Sequence, residues 1–213
     1  IRHPAAIWID ALCVPFEEPT RSSCLSRLGE IYSQASEVVI VLSEPCSAML
    51  TQISDSNQVD WESLLMFGLD DWASRVWTYQ ELVNANKIFF VAEGEGDSQV
   101  EVEDVFRNMT YAIDEHKKAQ GYNSFKFRSL HPKLDDLESV FLDWKIGPYL
   151  ERSAYQVISG MDQRDAAQTR DHFYAVVGAI GSSSADVPMS RSMHPAEHFM
   201  RTCEAKGDYS FIY

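Results

Sequence analysis

A run of five apolar residues, Val38-Val39-Ile40-Val41-Leu42, constrains the fold more than any other feature of the sequence. Most of these side chains are β-branched, and the run has the length of a strand. Two further runs, at residues 5–10 and 87–92, also predict strands, and the run at residues 5–10 is apolar on both faces, as in a buried parallel strand. The sequence therefore predicts a sheet that contains these three strands.

Most of the remaining sequence has the apolar spacing of helices. Residues 21–35 place their apolar side chains on one helix face, so residues 5–43 predict a βαβ unit with two parallel strands. Asp71 is the predicted N-cap of a helix at 72–86, residues 119–133 predict a loop, and residues 209–213 predict the start of a strand. Further helices are predicted at residues 46–54, 59–67, 102–113, 136–150, 153–161, 170–178 and 195–206.

These elements divide the sequence into an α/β part over about residues 1–93 and a mainly helical part over about residues 100–213. No internal repeat and no low-complexity tract separates the two parts of the sequence. The sequence therefore predicts a single α/β domain over residues 1–213, with additional C-terminal helices.

The formal net charge of −14 limits the classes of partner. Nucleic acids and anionic membranes bind clustered Lys and Arg, so neither is an expected partner. The sequence has no apolar run near the ~20 residues that span a bilayer, and no visible signal peptide. The four cysteines show neither metal-binding spacing nor a disulfide framework. We therefore expect free thiols, no metal site and a cytoplasmic location.

Four motifs follow one another along the chain, and together they resemble one protein family. They are Ile7-Trp-Ile-Asp-Ala-Leu-Cys13, Ile31-Tyr-Ser-Gln-Ala35 before the 38–42 strand, Ser74-Arg-Val-Trp-Thr-Tyr-Gln-Glu-Leu82, and Thr169-Arg-Asp-His-Phe-Tyr-Ala175 followed by Gly178. In this order they closely resemble the blocks of the heterokaryon-incompatibility (HET) domain family. The resemblance spans about residues 5–180, and four ordered blocks are far more specific than any one of them.

The sequence departs from the family pattern at three points. Val14-Pro15-Phe16 stand where the family usually has Ile-Asn-Gln, and Ser43 stands where the strand usually ends in Gly. The family's first block would precede residue 1, so we expect that block, and the sheet strand that it supplies, to be missing here.

HET domains resemble TIR domains, so the resemblance implies a TIR/flavodoxin-like parallel sheet flanked by helices. Ser74-Arg-Val-Trp77 and Glu81-Leu82 look like the TIR helix that carries a catalytic glutamate in the members that cleave NAD+. Glu81 is the matching position, which implies that Glu81 is catalytic and that NAD+ is a substrate, with no bound cofactor. Cleavage of NAD+ passes through an oxocarbenium-like sugar, which a carboxylate stabilises.

Four other residues are expected to contact the nucleotide. Asp10 follows the first predicted strand, at the edge where open α/β sheets bind ligands, and could bind a ribose hydroxyl. Arg75 could bind a phosphate, because guanidinium groups pair with phosphate oxygens. Trp77 lies one helical turn before Glu81 and could stack on a flat ring. Ser43, at the end of the second predicted strand, completes the set.

Each of these residues also has a purely structural interpretation. Glu81 could form an ion pair on the helix surface, and Trp77 could belong to the core. Asp10 could cap a turn. Arg75 could bind a carboxylate or carbonyl groups within the fold.

Two functions from different classes remain open at this point. The first is a cell-death or incompatibility effector that hydrolyses NAD+ after self-association, as TIR relatives do. The second is a non-catalytic module that signals by homotypic assembly, and a weaker third is a HET-like fold that acts on another nucleotide. An enzyme requires Glu81 to open into a cleft, whereas a scaffold predicts a surface ion pair at Glu81.

Overall fold

The computed structural model describes residues 6–94, 98–146, 152–161, 164–166, 169–180 and 193–212. In these residues a small mixed sheet is surrounded by helices, which make up most of the described chain. The strands are β1 (Val38–Leu42), β2 (Ile88–Ala92) and β3 (Val100–Glu101). At this level the predicted α/β class is confirmed.

The sheet contains one parallel and one antiparallel pair. β1 and β2 are parallel, with Val38 opposite Ile88, and β3 runs antiparallel to β2. The strand order is β1-β2-β3, so β1 lies at an edge of the described sheet. Alternate side chains of β1 face the core, whereas Val39 and Val41 are 53% and 55% exposed. The strand predicted at 38–42 is therefore confirmed, but only one of its faces is fully buried.

The helices before β2 are α1 (Asp10–Cys13), α2 (Thr20–Leu25), α3 (Leu28–Gln34), α4 (Ser47–Ser56), α5 (Trp61–Leu69), α6 (Asp71–Ser74) and α7 (Val76–Asn84). Those after β3 are α8 (Val102–Gln120), α9 (Ser124–Leu130), α10 (Pro132–Ile146), α11 (Ala154–Met161), α12 (Thr169–Ile180) and α13 (Pro195–Lys206). The part of the chain that the structure describes also has two 3₁₀ turns, at Glu44–Cys46 and Ser210–Ile212. Among the helices of the described ranges, none combines the length and apolar character that crossing a bilayer requires.

The predicted first strand is wrong, because residues 6–9 are not in a strand and Asp10 begins a helix. The amides of Leu12 and Cys13 donate to the carbonyl of Ile9, which turns the chain into α1. Ile7 and Leu12 are 78% and 80% exposed, so this apolar segment contributes little to the core. The predicted βαβ unit at 5–43 is therefore also wrong, and α4 to α7 make the crossover between the parallel strands β1 and β2.

Two predicted long helices are each interrupted once. Residues 21–35 divide into α2 and α3, and residues 72–86 divide at Arg75 into α6 and α7. Asp70, rather than Asp71, caps α6, because its carboxylate accepts from the amide of Trp72 at 2.8 Å. The predictions that these segments are helical are confirmed, but their continuity is wrong.

Two further predictions are wrong after β3. The predicted loop at 119–133 contains the end of α8 and the whole of α9, whose first turn is capped by the Asn123 side chain. The predicted strand at 209–213 is wrong over the described residues, because Ser210–Ile212 form a 3₁₀ turn. At the start of this turn the Asp208 carboxylate accepts from the amide of Ser210 at 3.0 Å. In both places a short polar side chain satisfies backbone amides locally and stabilises a turn or helix start.

Helix α7 lies at the centre of the described helices and packs against α3, α10 and α12. Every residue of α7 except Trp77 and Glu81 is buried. Gly29 of α3 and Gly178 of α12 touch through their backbones, since a Cβ on Gly29 would lie 1.6 Å from the carbonyl oxygen of Gly178. Asn84, at the end of α7, donates to the same carbonyl at 3.0 Å. The two glycines therefore allow three helices to meet at one point.

We expect Gly29→Ala to lower the free energy of unfolding by about 2–3 kcal/mol, because the new methyl group forces α3 and α12 apart. Urea denaturation followed by circular dichroism measures this change. Gln34→Ala, at an exposed position of the same helix, is the control and should change the free energy by less than about 0.5 kcal/mol. Equal stability of the two variants would contradict the backbone contact.

Candidate functional site

The helix that carries Glu81 begins where it does because a distant segment interrupts α6 at Arg75. The amide of Asp165 donates to the carbonyl of Ser74 at 2.7 Å, and the amide of Val76 donates to the carbonyl of Asp165 at 3.0 Å. Arg75 and Asp165 therefore form a single parallel bridge, and Arg75 is extended with φ −78° and ψ 139°. This break separates Trp72 from α7 and lets its indole face the helix.

The Glu81 carboxylate is partly buried and accepts a hydrogen bond from Trp72 Nε1 at 3.0 Å. Burial raises the pKa of Glu81 to about 7, and the charge of Asp10 acts in the same direction. The hydrogen bond from Trp72 and the charges of Arg75 and Arg164 lower this pKa. A carboxyl group with a pKa near neutrality can both accept and donate a proton at physiological pH.

No salt bridge to Glu81 occurs within the described residues. Within the described residues Glu81 therefore does not form the surface ion pair that its structural interpretation requires. The hydrogen-bonding partner of Glu81 is the indole of Trp72, a buried residue that is 6% exposed. Glu81 thus lies in a low-polarity environment, where a charge interacts more strongly than in water.

A second carboxylate, that of Asp10, is held near Glu81 by two aromatic side chains. Trp8 Nε1 donates to Asp10 Oδ1 at 2.5 Å, and the Tyr32 hydroxyl lies 3.1 Å from both carboxylate oxygens. Burial raises the pKa of Tyr32 far above its usual range, and the charges of Glu81 and Asp10 raise it further. Tyr32 therefore stays protonated and donates to Asp10. Asp10 is the first residue of α1 instead of the end of a strand, and its charge raises the pKa of Glu81.

Arg75 is exposed, and its positive charge acts on both Glu81 and Tyr32. Its carbonyl, by contrast, is engaged inside the fold, where it accepts from Thr78 Oγ1 at 2.7 Å. The guanidinium group of Arg75 is thus on the solvent side of the acidic cluster formed by Glu81 and Asp10. Its contact with a phosphate stays a prediction.

Trp77 and Ser43 have structural contacts of their own. Trp77 is partly buried and packs against the core, and the indole that contacts Glu81 is that of Trp72. The amide and hydroxyl of Ser43 donate to Asp70 Oδ2 at 2.9 and 2.5 Å. Because Asp70 also caps α6, this pair ties the end of β1 to the start of the helix that bears Trp72. Nucleotide contacts of Trp77 and Ser43 stay predictions.

Sequence reasoning missed Trp72, Tyr32 and Arg164 as members of the site. Tyr32 lies in the Ile-Tyr-x-x-Ala motif. Its hydroxyl group is the one signal in the sequence that this motif could form a hydrogen bond at the site in addition to packing in the core. Trp72 lies within the predicted helix at 72–86, and the break at Arg75 that separates it from α7 depends on Asp165, which is remote in sequence. Arg164 lies in no motif, and nothing in the sequence near it indicates a contact with α7.

A cavity of about 330 Å³ lies between α11, α12 and α13. None of the five predicted site residues is among its described lining, which is mainly apolar and consists of Ile158, Met161, His172, Phe173, Val176 and Phe199. This cavity therefore belongs to a different part of the molecule from the cluster around Glu81.

Comparison with known proteins agrees with the class of protein that the motifs indicate. The family model described as Heterokaryon incompatibility protein (HET) matches residues 2–81. The resemblance to the HET family is thus confirmed over this part of the chain, which includes Asp10, Tyr32, Trp72 and Glu81. The match suggests a function related to heterokaryon incompatibility. No curated protein and no solved structure matches the chain.

We expect the stability of the protein to report the raised pKa of Glu81. A carboxyl group whose pKa rises from 4.5 to about 7 on folding binds its proton more tightly in the folded state. Its contribution therefore reduces the free energy of unfolding as the pH rises from 4.5 to 7. Glu81→Gln lacks this titration and can still accept from Trp72 Nε1.

Across this pH window Glu81→Gln should gain up to about 3 kcal/mol relative to the wild type. Urea denaturation of both proteins between pH 4.5 and 8 measures the difference, because all other titrating groups are shared. Parallel stability profiles of the two proteins would show that Glu81 keeps an ordinary pKa.

Proposed function

We propose that the chain is an effector domain of incompatibility-related cell death that hydrolyses NAD+ at its glycosidic bond, with Glu81 as the catalytic carboxylate. The observation that carries this proposal is the state of Glu81. It is partly buried, it accepts from the Trp72 indole, and burial raises its pKa to about 7. A structural glutamate on a helix surface has no need of such an environment.

The chemistry uses Glu81 in two ways. As the C1′–N bond to nicotinamide breaks, the leaving ring nitrogen takes the electron pair and positive charge develops on the ribose, which the carboxylate stabilises. Water then forms the new bond to C1′ and releases a proton, for which a carboxylate with a pKa near 7 is a suitable acceptor. The products are ADP-ribose, nicotinamide and a proton.

The surroundings of Glu81 offer groups for the rest of the nucleotide. The exposed guanidinium of Arg75 lies on the solvent side of the cluster and is suited to a phosphate. The Asp10 carboxylate, held by Trp8 and Tyr32, can accept from a ribose hydroxyl. Trp77 and Ser43 complete the proposed nucleotide contacts, the first as a stacking wall and the second at the end of β1.

A TIR-related fold and a cytoplasmic location are part of the same proposal. Support for the fold comes from the parallel pair β1–β2 and the helical crossover between them. The sheet strand that would complete a TIR-like sheet would pair with the free edge of β1 in the described residues. Self-association is the proposed activating step.

A second function, assembly without catalysis, is favoured by a different observation. Ile7, Leu12 and Phe16 are 78%, 80% and 89% exposed, and Val39 and Val41 on β1 are more than half exposed. Exposed apolar side chains of this size are typical of surfaces that bind another protein. In this second case the chain would form oligomers but would leave NAD+ intact.

We expect Glu81→Gln to lower the rate of nicotinamide release from NAD+ by about 10²–10⁴-fold, because the neutral amide neither stabilises the ribosyl cation nor accepts a proton. The assay uses concentrated protein and chromatographic detection of nicotinamide. Glu62→Gln, an exposed glutamate of α5, is the matched control and should leave the rate unchanged.

The oligomeric state of the same samples, measured by light scattering, separates the two functions. Equal rates for the wild type and Glu81→Gln would remove Glu81 from the mechanism. Oligomers of the wild type that release no nicotinamide would favour the non-catalytic module.

A further inference from the structure

Arg164 lies far from the Glu81 motif in sequence but reaches it in space. It belongs to the segment 164–166 between α11 and α12, which is fixed to the start of α7 by the Arg75–Asp165 bridge. Its amide donates to the carbonyl of Met161 at 3.0 Å. Arg164 is 3% exposed, so its guanidinium group is enclosed by the fold beneath the first turn of α7.

Hydrogen bonds connect the guanidinium group of Arg164 to Thr78 and to the backbone of Trp72, and the Trp72 side chain in turn bonds Glu81. Arg164 Nη1 donates to the carbonyl of Arg75 at 3.2 Å and to Thr78 Oγ1 at 3.0 Å. Thr78 Oγ1 lies 2.6 Å from the carbonyl of Trp72 and 2.7 Å from that of Arg75, so its one hydroxyl proton is shared between these two carbonyls. Trp72 then donates through Nε1 to Glu81. The backbone on both sides of the Arg75 break is therefore held by one cation.

The position of this cation is unfavourable for the helix itself. The N-terminus of a helix carries partial positive charge, so a buried cation there is repelled unless anions compensate it. Asp136 is one such anion, with its Oδ2 3.4 Å from Arg164 Nε. Glu81 is the other, since Arg164 is one of the charges that oppose the effect of burial on its pKa. Helix capping alone therefore does not account for Arg164.

We propose that Arg164 is a positioning residue for Glu81, which it acts on through Thr78 and Trp72 and through its charge, so that residues beyond the HET-matched region complete the site. The catalytic importance of Arg164 rests on the proposed function. The structural part, which is the link between Arg164 and the state of the Glu81 carboxyl group, does not.

The test compares two buried arginines at opposite ends of α7. Arg164→Met removes the charge and the donors at the N-terminal end, and Arg164→Lys keeps the charge without the planar fork. Arg152→Met is the matched control, because Arg152 is also 3% exposed and binds Asn84 at the C-terminal end of α7. Thr78→Val, which replaces only the hydroxyl group by a methyl group, tests the hydrogen bonds through Thr78 if the arginine variants do not fold.

The first readout is the pKa of Glu81, measured by carboxyl ¹³C NMR with Glu81→Gln for assignment. We expect Arg164→Met to raise this pKa by about one unit or more, Arg164→Lys to raise it less, and Arg152→Met to leave it in place. The other charged groups that act on Glu81, Asp10 and Arg75, and the neutral Tyr32 hydroxyl are the same in all variants. Equal shifts in Arg164→Met and Arg152→Met, or no shift in Arg164→Met and Thr78→Val, would overturn the proposal.

The second readout is the pH profile of nicotinamide release. In Arg164→Met the acidic limb of the profile, where the rate rises as Glu81 ionises, should move to higher pH with the Glu81 pKa, whereas a merely structural loss would lower the rate at every pH. If the wild type releases no nicotinamide but the Glu81 pKa still shifts, the proposed function fails and the positioning role stands. If the wild type is active and the profile of Arg164→Met does not move, the positioning role fails and the proposed function stands.

Discussion

Two buried guanidinium groups, one at each end of α7, fix the helix against which α3, α10 and α12 pack. Arg152 donates to the carbonyl of Val83 and to Asn84 Oδ1, where the negative end of the helix favours a cation. Arg164 binds the opposite end, where the helix opposes it and acidic side chains must compensate. The two arginines therefore differ in role. Arg152 stabilises the helix, whereas the charge of Arg164 is compensated by Asp136 and Glu81.

Much of the helical framework of the fold could be predicted from sequence, because the apolar spacing of α4, α5, α8 and α10 to α13 is strong enough to specify helices. β1 and β2 were also visible as apolar runs. The prediction of a first strand is wrong because an apolar run does not by itself establish burial, and Ile7 is 78% exposed. The break at Arg75 could not be predicted, since it depends on a backbone bridge to Asp165, which is remote in sequence.

The candidate site was predictable where a motif named its residues, and not where the fold brought residues in from elsewhere. Glu81 and Asp10 came from the motifs, and their charges do interact. The indole beside Glu81 was expected from Trp77 and is that of Trp72, because the interrupted helix changes which side chains share a face. Arg164 follows from tertiary packing alone. The substrate, the cofactor requirement and self-association stay predictions.

The Arg75–Asp165 bridge has a consequence for how this kind of domain is delimited. The family match ends at residue 81, in the interior of α7, so the matched region ends before the helix that carries Glu81 does. A graft of residues 2–81 onto another scaffold would carry over the glutamate but not the peptide bonds of residue 165 that determine where its helix starts. A domain boundary placed at the end of the matched region would therefore separate Glu81 from the backbone contacts of residue 165.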